Sequence, residues 1–213
     1  MISKKNKPVT PVINKLFFGI IVTGLLAFIV VFVFSSSSPS KKSLPVLGGE
    51  GHMIESFSFT DQDGKTITDK DVAGKIRVAE YFFTTCKSIC PIMNGNLQAV
   101  QNAYKDRNDV IILSHTVDPE DDSVGALKSY AKLMHAIPGK WEFLTGDKLA
   151  LYQMAEKDYL LSADTTTSQN KDSAFIHTQY VTLVDKQNRI RGFYDATSKQ
   201  DINKLISDIK QLL

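Results

Sequence analysis

The chain has 213 residues, 43% of them hydrophobic, with 25 Lys+Arg against 23 Asp+Glu and a formal net charge of +2. Six lysines and no acidic residue precede position 46, which leaves 19 basic against 23 acidic residues in the remainder, a net of −4. No basic field is therefore available to neutralise phosphates, and nucleic-acid binding loses its electrostatic support.

Lys4, Lys5, Lys7 and Lys15 mark a basic tail over residues 1–15. Leu16 to Phe34 follows, 19 residues without a charge. That is close to the ~20 a membrane-spanning helix needs and longer than the apolar core of a cleavable signal peptide. No small-x-small cleavage site closes it, so residues 16–34 read as an uncleaved transmembrane anchor. Four lysines before it against Lys41 and Lys42 after it place the N-terminus in the cytoplasm and the rest outside. For a bacterial-type chain this is a single-pass inner-membrane protein with a periplasmic working domain. Residues 35–45, rich in Ser, Lys and Pro, read as a flexible linker. Residues 46–213 suit one domain with one sizeable core.

Phe57 and Phe59 alternate with polar residues, and Asp61-Gln62-Asp63-Gly64 supplies a turn before Lys65–Thr68, which predicts a β-hairpin. Ile76 to Phe83 is an apolar run and reads as a buried strand. After the segment Thr84–Pro91, Met93, Leu97, Val100 and Tyr104 recur at helical spacing, predicting a helix over 93–107. Val110–Val117 is a second apolar strand, ended by Asp118-Pro119-Glu120-Asp121-Asp122. Ser123 is placed to cap the next helix, with a stripe of Leu127, Tyr130, Ala131 and Met134. Trp141–Leu144 is short and strand-like, and Leu149–Tyr159 predicts a third helix. Asp164–Asp172 is a polar loop. Phe175–Val184 and Arg189–Tyr194 are β runs around the turn Asp185–Asn188. Ile202, Leu205, Ile206, Ile209 and Leu212 give an amphipathic last helix. This order is that of a thioredoxin-like α/β domain with a β-hairpin added in front.

Cys86 and Cys90 are the only cysteines, and they lie where the first long strand hands over to a helix. A helix start exposes backbone N–H groups and stabilises thiolate over thiol. Residues four apart on a helical turn share a face, so both sulfurs can address one object. That object is a soft metal ion or, in a disulfide, the partner sulfur. The spacing alone leaves both open. A disulfide this short would restrict little chain entropy and is a poor structural staple.

A trigonal metal site needs a third ligand beyond two thiolates. Of the four histidines, His52 reads as a solvated loop residue, His135 as a surface residue at a helix end and His115 as a hydrogen-bonded strand residue. His177 opens a β run after a polar loop. In a thioredoxin-like topology the turn entering that strand faces the cysteine turn, which gives His177 a geometric reason to meet the cysteines. Met93 at helical spacing with Leu97 reads as core rather than a soft fourth ligand. The acidic run 118–122 reads as turn and helix-start residues rather than a hard-metal cluster.

The segment Tyr81-Phe82-Phe83-Thr84-Thr85-Cys86-Lys87-Ser88-Ile89-Cys90-Pro91 resembles the copper-site motif of the Sco/SenC family, thioredoxin-like proteins that mature cytochrome oxidases. Ser114–Asp122, Trp141–Gly146, and Ile176-His177-Thr178 with Val181–Asp185 and Gly192–Tyr194 resemble its later signatures in order. The resemblance spans about Phe57 to Leu213. It implies copper ligands at Cys86, Cys90 and His177, two thiolates for Cu(I) and an added imidazole for Cu(II). It further implies a copper chaperone, a binding and transfer protein rather than a catalyst, that serves a respiratory copper oxidase subunit or another copper-site protein. Many members carry Asp before the histidine, where this chain has Ile176, which puts tuning of the site or partner contact by an acidic neighbour in question. The alternative on the same residues is a thiol–disulfide oxidoreductase that keeps a partner's copper-site cysteines reduced and itself draws on a thiol reductant. A thiol peroxidase would need an Arg-assisted pocket, and Arg77 is the only basic residue in the strand before Cys86.

Overall fold

Seven consecutive residues, Ile76–Phe82, are buried, so this strand has packing on both of its faces. The computed structural model describes residues 23–29, 43–161 and 179–213, and the chain divides into two units, Met1–Ser43 and Leu44–Leu213. In the first, residues 23–29 are helical and exposed. Among the described residues no helix is long and apolar enough to cross a membrane. The rest of the expected anchor and all of the cytoplasmic tail lie outside the described residues.

In the second unit the elements run β1 (Ser58–Asp61), β2 (Thr66–Thr68), β3 (Ile76–Phe82), α1 (Cys90–Tyr104), β4 (Val110–Thr116), α2 (Val124–Leu133), β5 (Trp141–Thr145), α3 (Lys148–Gln153), β6 (Tyr180–Val184), β7 (Ile190–Asp195) and α4 (Lys199–Leu212). A π-helical turn, Met154–Asp158, extends α3. The strands form one sheet in the order β2-β1-β5-β4-β3-β6-β7. β3, β4 and β5 are parallel. The hairpin β1–β2 adds antiparallel to β5, and β6–β7 adds antiparallel to β3.

Alternation along the strands divides the core into two layers. Ile76, Val78 and Phe82 of β3 face one side, where Met93, Leu97 and Val100 of α1, Leu127 and Tyr130 of α2, and Ile202, Leu205 and Ile209 of α4 cover them. Ala79 and Tyr81 face the other side, toward Phe59, Ile67, Leu151, Met154 and Tyr159. The apolar stripes expected for α1, α2 and α4 are therefore the faces that pack. Ser123 caps α2 as expected, its hydroxyl accepting from the Ala126 N–H at 3.3 Å.

Two helices depart from expectation. α1 begins three residues earlier than predicted, at Cys90 itself, because Pro91 fits a first helical turn where its missing N–H costs nothing. The third helix leaves α geometry after Gln153. Tyr159 N–H bonds the Met154 carbonyl at 2.9 Å, and this wider turn lets Met154, Ala155 and Tyr159 all enter the core.

The segment entering the second unit is strapped to the sheet edge. Leu47 pairs with Ile190, and the Arg191 guanidinium donates to the carbonyls of Pro45 (2.8 Å) and Leu44 while bonding Asp185 at 2.8 Å. This contact covers the start of the outer edge of β7, an edge that would otherwise offer unpaired backbone groups there. Arg191→Met removes these charge-assisted bonds and is expected to destabilise the domain by about 1.5–3 kcal/mol, read as a lower urea midpoint.

Candidate metal centre

The cysteines sit beyond the C-terminal end of β3, the end of a parallel strand at which open α/β sheets place their ligands. The chain turns at once: Cys86 N–H bonds the Phe83 carbonyl at 3.2 Å. Four residues later Cys90 opens α1, whose first turn carries neither an acidic residue nor a side-chain cap. Both cysteines are free, with Cys86 8% and Cys90 3% exposed. Phe82, Met93, Tyr130 and Phe143 back them in the same core layer. Met93 is fully buried there, as its spacing predicts.

The two sulfurs are not equivalent. Burial pushes the Cys86 thiol up, but hydrogen bonds from the Cys90 thiol, from the N–H groups of Cys90 and Ser88 and from the Ser88 hydroxyl together bring it below its ordinary value. Cys86 Sγ lies 3.7 Å from Ser88 Oγ. Cys90 goes the other way: burial raises it, and donating its own proton to Cys86 raises it further. Of the two, Cys86 is therefore the sulfur that ionises more readily, and Cys90 the one that holds its proton. Such a pair can bind a soft ion by giving up thiol protons, or close a disulfide by losing two electrons and two protons.

Beneath the pair on the same face of β3 lies a buried polar relay. Trp141 Nε1 donates to Ser114 Oγ at 2.7 Å, and Ser114 Oγ donates to Glu80 Oε1. Asn94 Nδ2 donates to the Tyr130 hydroxyl at 2.9 Å. Burial pushes the Glu80 carboxyl up to about 8, only partly offset by the Ser114 hydrogen bond.

Of the histidines, His135 is exposed, as expected. His52 is not a solvated loop residue: it is half-buried, its Nε2 lying 2.8 Å from the Asp158 carbonyl, which ties the entry segment to the π-helical turn. His115 is fully buried on the opposite face of the sheet, stacked on Tyr81 at 5.0 Å. Burial lowers its imidazole to about 4, so it stays neutral. His177 and Ile176 lie outside the described residues. Among the described residues no three His, Cys, Asp or Glu side chains gather to hold a metal. Two acids of the run after β4 make separate contacts. Glu120 pairs on the surface with Lys148 at 3.3 Å. Asp122 is buried and bonded to Thr84 and Thr116, a contact that no sequence spacing announces. Arg77 is buried near the far end of β3, where its guanidinium bonds Asn188 at 2.7 Å. It supplies no peroxide pocket at Cys86.

Residues 47–213 match the family described as SCO1/SenC. The chain belongs to the SCO1/SenC family. It is 31% identical over 159 residues to the SCO1 protein homolog of Bacillus subtilis (strain 168), covering 74% of this chain and 81% of that protein. Among solved structures it is similar to BsSco, described as a member of the Sco family of cytochrome c oxidase assembly proteins with a disulfide switch. That likeness has 27% identity and a TM-score of 0.62 over 78% of this chain and 96% of that one. It is also similar to Bradyrhizobium japonicum ScoI with copper bound, with 26% identity and a TM-score of 0.61 over 76% of this chain and 99% of that one. These likenesses bear out the thioredoxin-like α/β expectation for the domain.

The raised Glu80 carboxyl has a stability consequence with a definite sign. A carboxyl whose folded value lies above its unfolded one, ~4.3, stabilises fully below the unfolded value, and that stabilisation is lost as pH rises toward about 8. Wild type is expected to be less resistant to urea at pH 8 than at pH 5, by on the order of a few kcal/mol, and Glu80→Gln to show a smaller difference.

Proposed function

We propose that this protein is a membrane-anchored copper chaperone that holds copper through Cys86, Cys90 and His177 and passes it to a respiratory copper oxidase or another copper-site protein. The observation that carries the reading is the pair of free sulfurs at the junction of β3 and α1, in a chain that belongs to the SCO1/SenC family over nearly all of residues 47–213. The solved copper-bound relative supports copper as the cargo. The membership of BsSco in a family of cytochrome c oxidase assembly proteins supports the recipient. The donor chemistry fits. Two sulfurs, one of them already inclined to ionise, suit Cu(I), and an imidazole from His177 extends the site to Cu(II). Ile176 leaves the position beside that histidine without an acidic side chain.

The remaining parts of the reading follow from the order of segments. Residues 1–15 form a cytoplasmic tail, 16–34 a single inner-membrane anchor, 35–45 a linker and 46–213 a periplasmic copper-binding domain.

The unequal sulfurs also support a second reading, thiol–disulfide exchange. The Cys86 thiolate attacks a partner's disulfide, its sulfur forms a mixed disulfide and one partner thiolate leaves. Cys90 then attacks Cys86, releasing the second partner thiolate and closing the Cys86–Cys90 disulfide, and two electrons and two protons pass to the partner. A thiol reductant returns the pair to the dithiol. The disulfide switch identified in BsSco accords with this chemistry.

Copper titration of the reduced protein separates the readings. One copper per chain is expected for wild type. Cys86→Ser and His177→Ala are each expected to weaken binding by more than the ~10–100-fold typical of losing a group that merely supports a ligand. His177→Ala keeps the cysteines able to form a disulfide. A reduced wild type that takes up no copper overturns the chaperone reading, and unchanged affinity in His177→Ala overturns the three-ligand set.

A further inference from the structure

A second buried acid, besides Glu80, lies next to the cysteine turn. Asp122 is 1% exposed, and among the described residues no cation pairs with it. A carboxylate buried without a counter-charge must be stabilised by hydrogen bonds. Its donors come from two places. The Thr84 N–H approaches both oxygens at 3.2 Å, and the Thr84 hydroxyl donates to Oδ1. The Thr116 hydroxyl donates to Oδ2 at 2.5 Å.

Those donors sit where the parallel ladder stops. The last paired residues of β3 and β4 are Phe82 and Thr116, followed by one further bond from Val117 N–H to the Phe82 carbonyl at 2.9 Å. Among the described residues β3 has no strand partner beyond that point, and Thr84 is two residues short of Cys86. The carboxylate continues the link that the ladder gives up. Asp122 is itself fixed, its own N–H bonding the Asp118 carbonyl at 2.8 Å, and the next residue caps α2.

We propose that Asp122 is a positioning residue for the cysteine turn. Its carboxylate grips Thr84 and so keeps Cys86 arranged toward Cys90 before either an ion or a second sulfur bond is made. The proposal deepens the copper reading and, where it concerns affinity, rests on it. It also stands on the apo-protein alone, because a turn held in one geometry raises the effective concentration of one sulfur at the other. Asp122 touches neither sulfur nor cargo; it acts through Thr84. The clamp is made wholly of protein groups, so it arranges the turn in advance instead of waiting for a ligand to impose the geometry.

The test uses the full chain in detergent, as wild type, Asp122→Ala, Thr84→Val and Thr84→Ser. Thr84→Val keeps the shape and removes only the hydroxyl, which guards against an Asp122 variant that fails to fold. Thr84→Ser restores the hydroxyl. Two quantities are read. The first is the midpoint potential of the Cys86–Cys90 pair without metal. It is expected to become less negative in Asp122→Ala and Thr84→Val by about 30 mV, equivalent to a roughly tenfold fall in the stability of the disulfide. The second is affinity for Cu(II), with the sulfur-to-copper absorption band recorded. A loss of ~10–100-fold with a shifted band is expected in the same two variants. Thr84→Ser is expected to match wild type in both.

Unchanged potential in the folded Asp122→Ala and Thr84→Val proteins overturns the proposal, and so does a Thr84→Ser protein that behaves like Thr84→Val. A wild type that binds no Cu(II) but whose potential shifts in the two variants sinks the copper reading and leaves the positioning role standing. The two failures are thus distinguishable.

Discussion

Burial of β3 on both faces is the constraint from which the site follows. A strand enclosed in this way cannot slide by one residue without exchanging its two faces, so its register is strongly specified. Its end is therefore specified as well. The parallel ladder with β4 stops at Phe82, the chain turns within four residues, and α1 starts at the second cysteine. The layer beneath the cysteines is formed by Phe82, Met93, Tyr130 and Phe143, which restricts water on that side while the sulfurs sit just under the surface. Packing density below and a tight turn above leave the pair little freedom to separate.

The chemistry of the pair follows from asymmetry in its surroundings rather than from the residues themselves. Both are cysteines on one turn, yet one collects N–H donors and the other keeps its proton and donates it in a hydrogen bond to its neighbour. Ion binding and disulfide closure both begin from this state, and both gain from a nucleophilic Cys86. That is why the two functional readings share residues and differ mainly in what arrives at the site. The buried acid Glu80 lies under the same layer and, once ionised, adds a further cost to placing negative charge at Cys90.

Much of the scaffold was legible because its signals are local. The stripe Met93–Leu97–Val100–Tyr104, the turn around Gly64 and the Ser123 cap each depend on neighbours a few residues away, and each is where the pattern puts it. The cysteine pair was legible for the same reason. What escaped depends on distance or on tertiary demand. The grip of Asp122 on Thr84 spans 38 positions, and the hold of Arg191 on Pro45 spans 146. No periodicity encodes either. The π-helical turn after Gln153 exists because Tyr159 has to reach the core as well as Met154, a requirement invisible to a pattern that counts in steps of 3.6. His52 looked solvated because glycines surround it, and only the folded chain brings Asp158 within reach.

The strap at the β7 edge has a mechanical consequence. Leu47 is paired with Ile190, Ile190 with Val184 and Val184 with Arg77, one row of backbone across the sheet. That row crosses β3 near its first residues, five positions before Phe82 and about 17 Å from it at the rise of a strand. Load on residues 44–47 thus enters the sheet at β7 and meets β3 at the end opposite the cysteines. It is taken up there as shear across backbone bonds and by the Arg191 guanidinium. The cysteine turn, beyond the other end of β3, is set apart from that load.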